Sequence, residues 1–299
     1  MIKKETIKSF LYLILGVIML KWFVVEAYQI PTGSMERTLL VGDFLLVNKF
    51  VWGVRTPDWI GIPYTEIGFH IPWTRAETFG YPESGDITVF RYPLYQDLNY
   101  VKRCVGGPGQ VINYQNKKLE VDGKPFRESP YYQKLDYRKL QKGYRQPDII
   151  QGKYDSWNKD YFGPLRVPQK GDTITLNINN FDLYALVFFH EQEYRLDIPF
   201  ERTNSYGQPE IVNWRHEPIV RRLRALVKKK PQTFVLKHNY YFMMGDNRDN
   251  SSDGRYWGFV PDYMIVGKPL VIYLSLEPDV SLFNIPSVVR WSRLGDVPH

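Results

Sequence analysis

The chain has a single cysteine among its 299 residues, Cys104, so it forms no intrachain disulfide, and one thiol says little about the redox compartment. Histidine is also scarce. His70, His190, His216, His238 and His299 stand in no motif, and none has the companions that a histidine-based triad needs. After Tyr28 no second apolar run is long enough to cross a bilayer, and there is no internal repeat or low-complexity tract. No basic helix or aromatic–basic sheet motif points to nucleic acid, so the formal charge of +7 is read as affinity for anionic lipid. What is present is a globular composition, 43% hydrophobic and 24% charged, which argues against disorder. The 16% of aromatic residues suits a β-rich protein with a wet–apolar boundary.

Phe10–Tyr28 is mostly apolar and just long enough to span a bilayer as a helix. Lys3, Lys4 and Lys8 precede it, which places the N-terminus in the cytoplasm and everything after Tyr28 outside. Lys21 and Glu26 lie near the outer end, where long side chains reach the interface, and Trp22 and Tyr28 suit the same boundary. A cleaved signal peptide is the alternative, because Val25-Glu26-Ala27 has small residues where a cleavage site needs them. Cleavage after Ala27 would cut into the strand leading to Ser34, which favours a permanent anchor over residues 1–28.

Leu39–Val51 reads as a strand pair around Gly42-Asp43. Trp52–Tyr81 is rich in rings and broken by Pro57, Pro63 and Pro72; it either dips into the membrane interface or folds as a hairpin over the core. Asp86–Tyr92 and Asn99–Val105 are β-type runs, Gly106–Gly109 is a tight turn, and Val121-Asp122-Gly123 is a hairpin signal. From Gly123 the chain turns polar, tyrosine-rich and basic, and Glu217–Lys230 reads as a short basic amphipathic helix. The expected layout is a core in two parts, 29–122 and 231–280, a subdomain inserted at 123–230, and a tail at 281–299.

Three stretches carry chemistry. In Gln29–Phe50, Ser34 sits in a Pro/Gly turn next to the apolar segment, a position for a nucleophile as well as for an ordinary turn. A serine hydroxyl needs a base. With histidine unavailable the candidate is Lys102, which shares a strand face with Tyr100 and Cys104. A free lysine, with pKa about 10.4, is neutral in fewer than about one molecule per thousand at pH 7, so a base here needs burial to depress it, and the ordinary alternative is a solvated strand lysine. Gly245–Trp257 is dense in turn formers. Asp249, Ser251, Asp253 and Gly254 match the opening of an EF-hand, but Val260 stands where the bidentate glutamate belongs.

Taken in order, PTGSMERTL, GDFLLVNKF, SGDITVFRYP with YVKRCVGGPG, and GDNRDNSSDGRYWG resemble the bacterial type I signal peptidases, membrane-anchored Ser/Lys proteases. The resemblance covers the anchor, Gln29–Leu119 and Tyr240–Tyr273. It implies a mainly β fold: a catalytic core of coiled antiparallel sheets, an inserted β-rich subdomain and one N-terminal transmembrane helix. It implies Ser34 as nucleophile and Lys102 as general base, with the Ser34 N–H and the Thr32 hydroxyl as oxyanion donors. Ser251 would orient the lysine, and Asp253 and Arg255 would pair to hold their loop. The substrate would add as a strand between Tyr28–Pro31 (Tyr28, Gln29, Ile30, Pro31) and Asn99–Val101. Tyr28, Ile30, Met35, Leu39, Leu45, Val89, Tyr100 and Val101 would wall pockets for small side chains. No metal or cofactor is implied. The implied partners are signal peptides of exported preproteins, membrane lipid and the secretion translocon, with no nucleic acid, at the outer face of the bacterial cytoplasmic membrane.

The chain departs from the usual pattern at Thr32 and Gly254, where serine is common, at Arg37, where proline is common, and at Gln110, where an acid is common. Thr32 keeps the hydroxyl. An inactive relative of the same fold is the competing reading, against which the full set Ser34, Lys102, Thr32, Ser251, Asp253 and Arg255 speaks. A penicillin-binding protein would need Ser-x-x-Lys, but Arg37 stands three places after Ser34. A self-cleaving repressor would carry a DNA-binding domain where the anchor stands.

Overall fold

Strand formers and turn residues dominate, and in the computed structural model the chain is mainly antiparallel β. The structure describes residues 4–53, 56, 59–61, 68–70, 78–198, 201–203, 209–211, 213–280 and 285–299. These fall into two units, one formed by Met1–Pro31, Val41–Tyr81 and Gly267–Pro298, the other by Thr32–Leu40, Pro82–Val266 and His299.

In the first unit the helix Lys4–Phe23 leads into the strand Val25–Gln29, which pairs antiparallel with Asp43–Asn48, Tyr28 opposite Leu45. Asp43–Asn48 pairs in turn with Lys268–Ser275. Alternation along it buries Asp43, Leu45 and Val47. The Asp43 carboxylate is fully buried and accepts from Ser275 Oγ at 2.7 Å and from Arg293 at 3.0 and 2.6 Å, the pairing that a buried charge requires. The expected strand pair about Gly42-Asp43 is one strand only. Gly42, at φ +88°, donates to Ile30 O, and a Cβ there would lie 2.0 Å from Leu276 O, so the turn closes on distant backbone instead of on a hairpin partner.

Of the aromatic stretch, residues 54–55, 57–58, 62–67 and 71–77 lie outside the described residues. The rest holds a hairpin, Trp59–Gly61 with Gly68–His70. Trp52 is buried, whereas Phe69 and Phe79 are exposed, the latter with its ring 5.1 Å from that of Phe50. Among the described residues no helix is long and apolar enough to cross a membrane.

The second unit is built on the hairpin Ile87–Tyr92 and Tyr95–Gly106, with Val89 opposite Val101 and Thr88 opposite Lys102. Tyr240–Met244 pairs with the end of the longer strand and with Phe259–Pro261, and all five of its side chains are buried. A second sheet runs Tyr161–Arg166, Val111–Gln115, Lys118–Val121, Lys124–Pro125. The hairpin signal at Val121-Asp122-Gly123 is realised by positive φ at Asp122 and Gly123. Residues 123–230, expected to be β-rich, also carry two helices. Phe181–Glu191 buries Phe181, Ala185, Leu186, Val187 and Phe189. Pro218–Lys229 starts on proline, turns Val220, Leu223 and Val227 inward and leaves Arg221, Arg222, Lys228 and Lys229 exposed, as the amphipathic pattern requires, while the half-buried Arg224 pairs with Asp182.

Candidate active site

Ser34 occupies a 3-10 turn, Gly33–Met35, entered through Thr32 in extended conformation (φ −133°, ψ 152°). Met35, 2% exposed, pins the turn to the core, and its carbonyl accepts from Leu39 N at 2.7 Å. Ser34 is thereby left half-buried, with its side chain facing the long strand. There Lys102 Nζ lies 2.6 Å from Ser34 Oγ and donates to Val101 O at 3.0 Å. Alternation puts Tyr100 on the same face, its ring centroid 5.1 Å from the ammonium. Lys102 is 4% exposed. Burial pushes its pKa down from 10.5 to about 8, against the pull of the Asp253 and Asp246 carboxylates. A deprotonated amine beside a hydroxyl at hydrogen-bond distance can take a proton from it near neutral pH.

The late loop closes over this pair. Asp253 and Arg255, both fully buried, meet through two bonds of 2.9 and 2.8 Å, and Asp253 also accepts from Gly245 N. Arg255 donates onward to the Lys159 and Arg248 carbonyls. Burial works to raise the Asp253 carboxyl, but Arg255 and the backbone N–H groups hold it below the usual carboxylate range. Removing Arg255 strands this carboxylate. Arg255→Ala is expected to lower unfolding stability by about 3–5 kcal/mol, read from the urea midpoint. A loss below about 1 kcal/mol would contradict a structural role for the pair.

Ser251 is buried, and its Oγ has no hydrogen-bond partner among the described residues. It packs on Gly245, where an added Cβ would meet Ser251 Oγ at 2.2 Å and Ser34 O at 2.6 Å. The loop therefore approaches the serine backbone as closely as glycine permits. The acids of the calcium-like stretch are already taken. Asp249 accepts from Lys117 at 2.7 and 2.8 Å and from Lys159 at 2.6 Å. Burial alone would raise Asp249, yet these ammonium groups hold it at about 2.

Among the histidines, His190 is buried beside Tyr263 and His238 bonds Asp262. Sequence reasoning missed Asp246, which takes a fork from Arg103 at 2.8 and 2.6 Å and a bond from Thr38 at 2.6 Å. It also missed Asn247, whose N–H donates to Ser34 O at 3.1 Å. Of the expected substrate-facing residues, Met35, Leu39, Val89, Asn99, Tyr100 and Val101 share the unit of Ser34 and Lys102. Met35, Leu39 and Val89 are buried, Tyr100 and Val101 half-buried and Asn99 exposed. Tyr28, Gln29, Ile30, Pro31 and Leu45 belong to the other unit. There Tyr28 donates its hydroxyl to Glu26 at 2.8 Å, Ile30 and Leu45 are buried, and Gln29 and Pro31 are exposed.

The family model of "Signal peptidase, peptidase S26" matches residues 3–274. The chain belongs to the peptidase S26 family. It is 31% identical to signal peptidase I of Pseudomonas aeruginosa over 96% of this chain and 77% of that one. It is equally identical to signal peptidase I of Buchnera aphidicola (98% and 81% covered) and 29% identical to that of Aquifex aeolicus (91% and 84%). The departures of this S26 member from the usual pattern have local causes. Arg37 adopts φ +71°, a value closed to proline. Gln110 donates its amide to Asp122 Oδ2 at 3.1 Å, which an acid at that position could not do. At Gly254 an added Cβ would sit 2.9 Å from Met243 O and 3.0 Å from the Phe242 ring, leaving no room for serine.

Proposed function

We propose that this chain is a membrane-attached serine endopeptidase that removes signal peptides from exported preproteins, with Ser34 as nucleophile and Lys102 as general base. The observation that carries the reading is a buried lysine amine 2.6 Å from the serine hydroxyl, with its proton affinity lowered by burial. Neutral Lys102 accepts the Ser34 proton as Oγ attacks the scissile carbonyl carbon. The resulting ammonium hands that proton to the leaving amine, and the C–N bond breaks to give an ester on Ser34. Water then attacks the ester, again losing its proton to Lys102, and the proton returns to Ser34 Oγ. The Ser34 N–H and the Thr32 hydroxyl stabilise the oxyanion. In the unit of the dyad the substrate strand lies along Asn99–Val101, where Tyr240–Met244 has ended its pairing at Arg103. Ser251, its hydroxyl beside the serine backbone and without a partner among the described residues, steers the lysine.

Attachment to lipid rests on the helix Lys4–Phe23. Phe10, Leu11, Tyr12 and Leu13, four consecutive residues that point to successive faces, are 61%, 58%, 72% and 64% exposed, and a helix that is apolar all round needs an apolar surrounding. The charge-free run Phe10–Leu20 is roughly 17 Å long at ~1.5 Å per residue, so spanning a core of ~30 Å needs Lys8 and Lys21 to extend to the interfaces. Against the cleaved-signal reading, Ala27 is paired opposite Leu46 inside a strand.

The test is incubation of the detergent-solubilised protein, and of its Ser34→Ala form, with a preprotein. Mature product is expected from the first alone. Product from both would overturn the serine assignment. Membranes washed with carbonate are expected to retain the protein, whereas a soluble form beginning at Tyr28 would favour cleavage after Ala27.

A further inference from the structure

Residues Glu128–Leu135 belong to none of the motifs, yet they contact both halves of the site. Glu128 accepts from Arg248 at 3.0 and 2.6 Å. The buried Arg248 guanidinium lies over the rings of Tyr132 (4.9 Å) and Tyr114 (5.7 Å), and its Nε donates to Gly245 O at 3.1 Å. Gln133 runs parallel to Asn247 in an isolated bridge: its N–H donates to Asp246 O at 2.8 Å and its carbonyl accepts from Arg248 N at 3.1 Å. From the same residue, Nε2 donates to Glu36 O at 3.1 Å, two positions past the serine. Leu135 N donates to Asp249 at 2.7 Å. On the loop side, Asn247 holds Ser34 O and, through its side chain, Gly33 O at 3.0 Å. The segment has no helix or ladder of its own, so these bonds fix its course.

We propose that Glu128–Leu135 is a positioning strap: Glu128, acting through Arg248, and Gln133, acting through Glu36 and Asp246, hold the Ser34 turn and the late loop in the register that sets Ser34 Oγ against Lys102 Nζ. The inference rests on those two residues being the reacting pair. Its mechanical basis is that a nucleophile displaced by ~1 Å loses on the order of 10²-fold in rate even though the chemistry is intact. Neither Glu128 nor Gln133 touches the reacting atoms, so both act through other residues.

The experiment measures the plateau rate constant of preprotein cleavage in a single turnover at saturating enzyme, a quantity that does not depend on the fraction folded. Full-length Glu128→Ala is expected to lower it by about 10–100-fold and Gln133→Ala by about 3–10-fold. Glu128→Gln, which keeps the shape and one acceptor, is expected to return to within about threefold of wild type. The double alanine variant should fall no further than Glu128→Ala, because the two act as one unit. Folded Glu128→Ala and Gln133→Ala proteins with wild-type rate constants, or with a loss confined to the active fraction, would overturn the strap while leaving the dyad standing. Ser34→Ala and Lys102→Met are run beside them. Wild-type cleavage by either would overturn the dyad reading and, with it, the strap.

Discussion

Lys102→Met and Lys102→Arg are expected to lose nearly all turnover while staying folded, and the methionine variant is expected to be no less stable than wild type. Arginine keeps a positive charge but does not release its proton near neutral pH, and methionine has the length without a base. The stability expectation follows from the depressed pKa. A shift from 10.5 to about 8 means that holding the ammonium in this site costs the folded state ~3 kcal/mol relative to water at neutral pH. By linkage, the unfolded chain binds more protons than the folded one between those values, so stability rises with pH through that window and the cost is fully present below it. Methionine removes the cost along with the activity. Cleavage assays paired with thermal melts check both parts. An active arginine variant, or a methionine variant melting several degrees below wild type, would contradict the account.

The second large effect is expected at Thr32, which lies two residues before Ser34 and whose hydroxyl makes no cap bond to the turn that follows. Acyl transfer builds negative charge on the scissile oxygen, and a donor aimed at it acts mainly in the transition state. Thr32→Val removes the donor at nearly constant shape and is expected to slow turnover by about 10²–10³-fold, or ~3–4 kcal/mol, with little change in KM. Thr32→Ser should be nearly neutral. Valine cleaving within a few-fold of wild type would place the second donor elsewhere.

Local order was the part legible in the sequence. Alternation put Tyr100, Lys102 and Cys104 on one face, and the turn formers at Gly245–Asp253 marked a loop. The basic helix at Glu217–Lys230 was legible because one of its faces is apolar. The helix Phe181–Glu191 was not, since it is buried on several sides and has no such contrast. Gly42-Asp43 was read as a hairpin because a turn dipeptide looks the same whether it closes on the next strand or on Leu276. The partners of charged groups were illegible for a related reason. Arg293 reaches back to Asp43, Glu128 to Arg248, and Lys117 to Asp249, pairings that no local pattern records.

The central claim is that a neutral Lys102 activates Ser34, and the pH dependence of single-turnover preprotein cleavage between pH 6 and 10 tests it most directly. The rate should climb with a single ionisation whose midpoint lies near the pKa of about 8, reaching its plateau once the amine is deprotonated. A profile that is flat from pH 6 to 9, or that rises around pH 6.5 as a histidine would dictate, would contradict it.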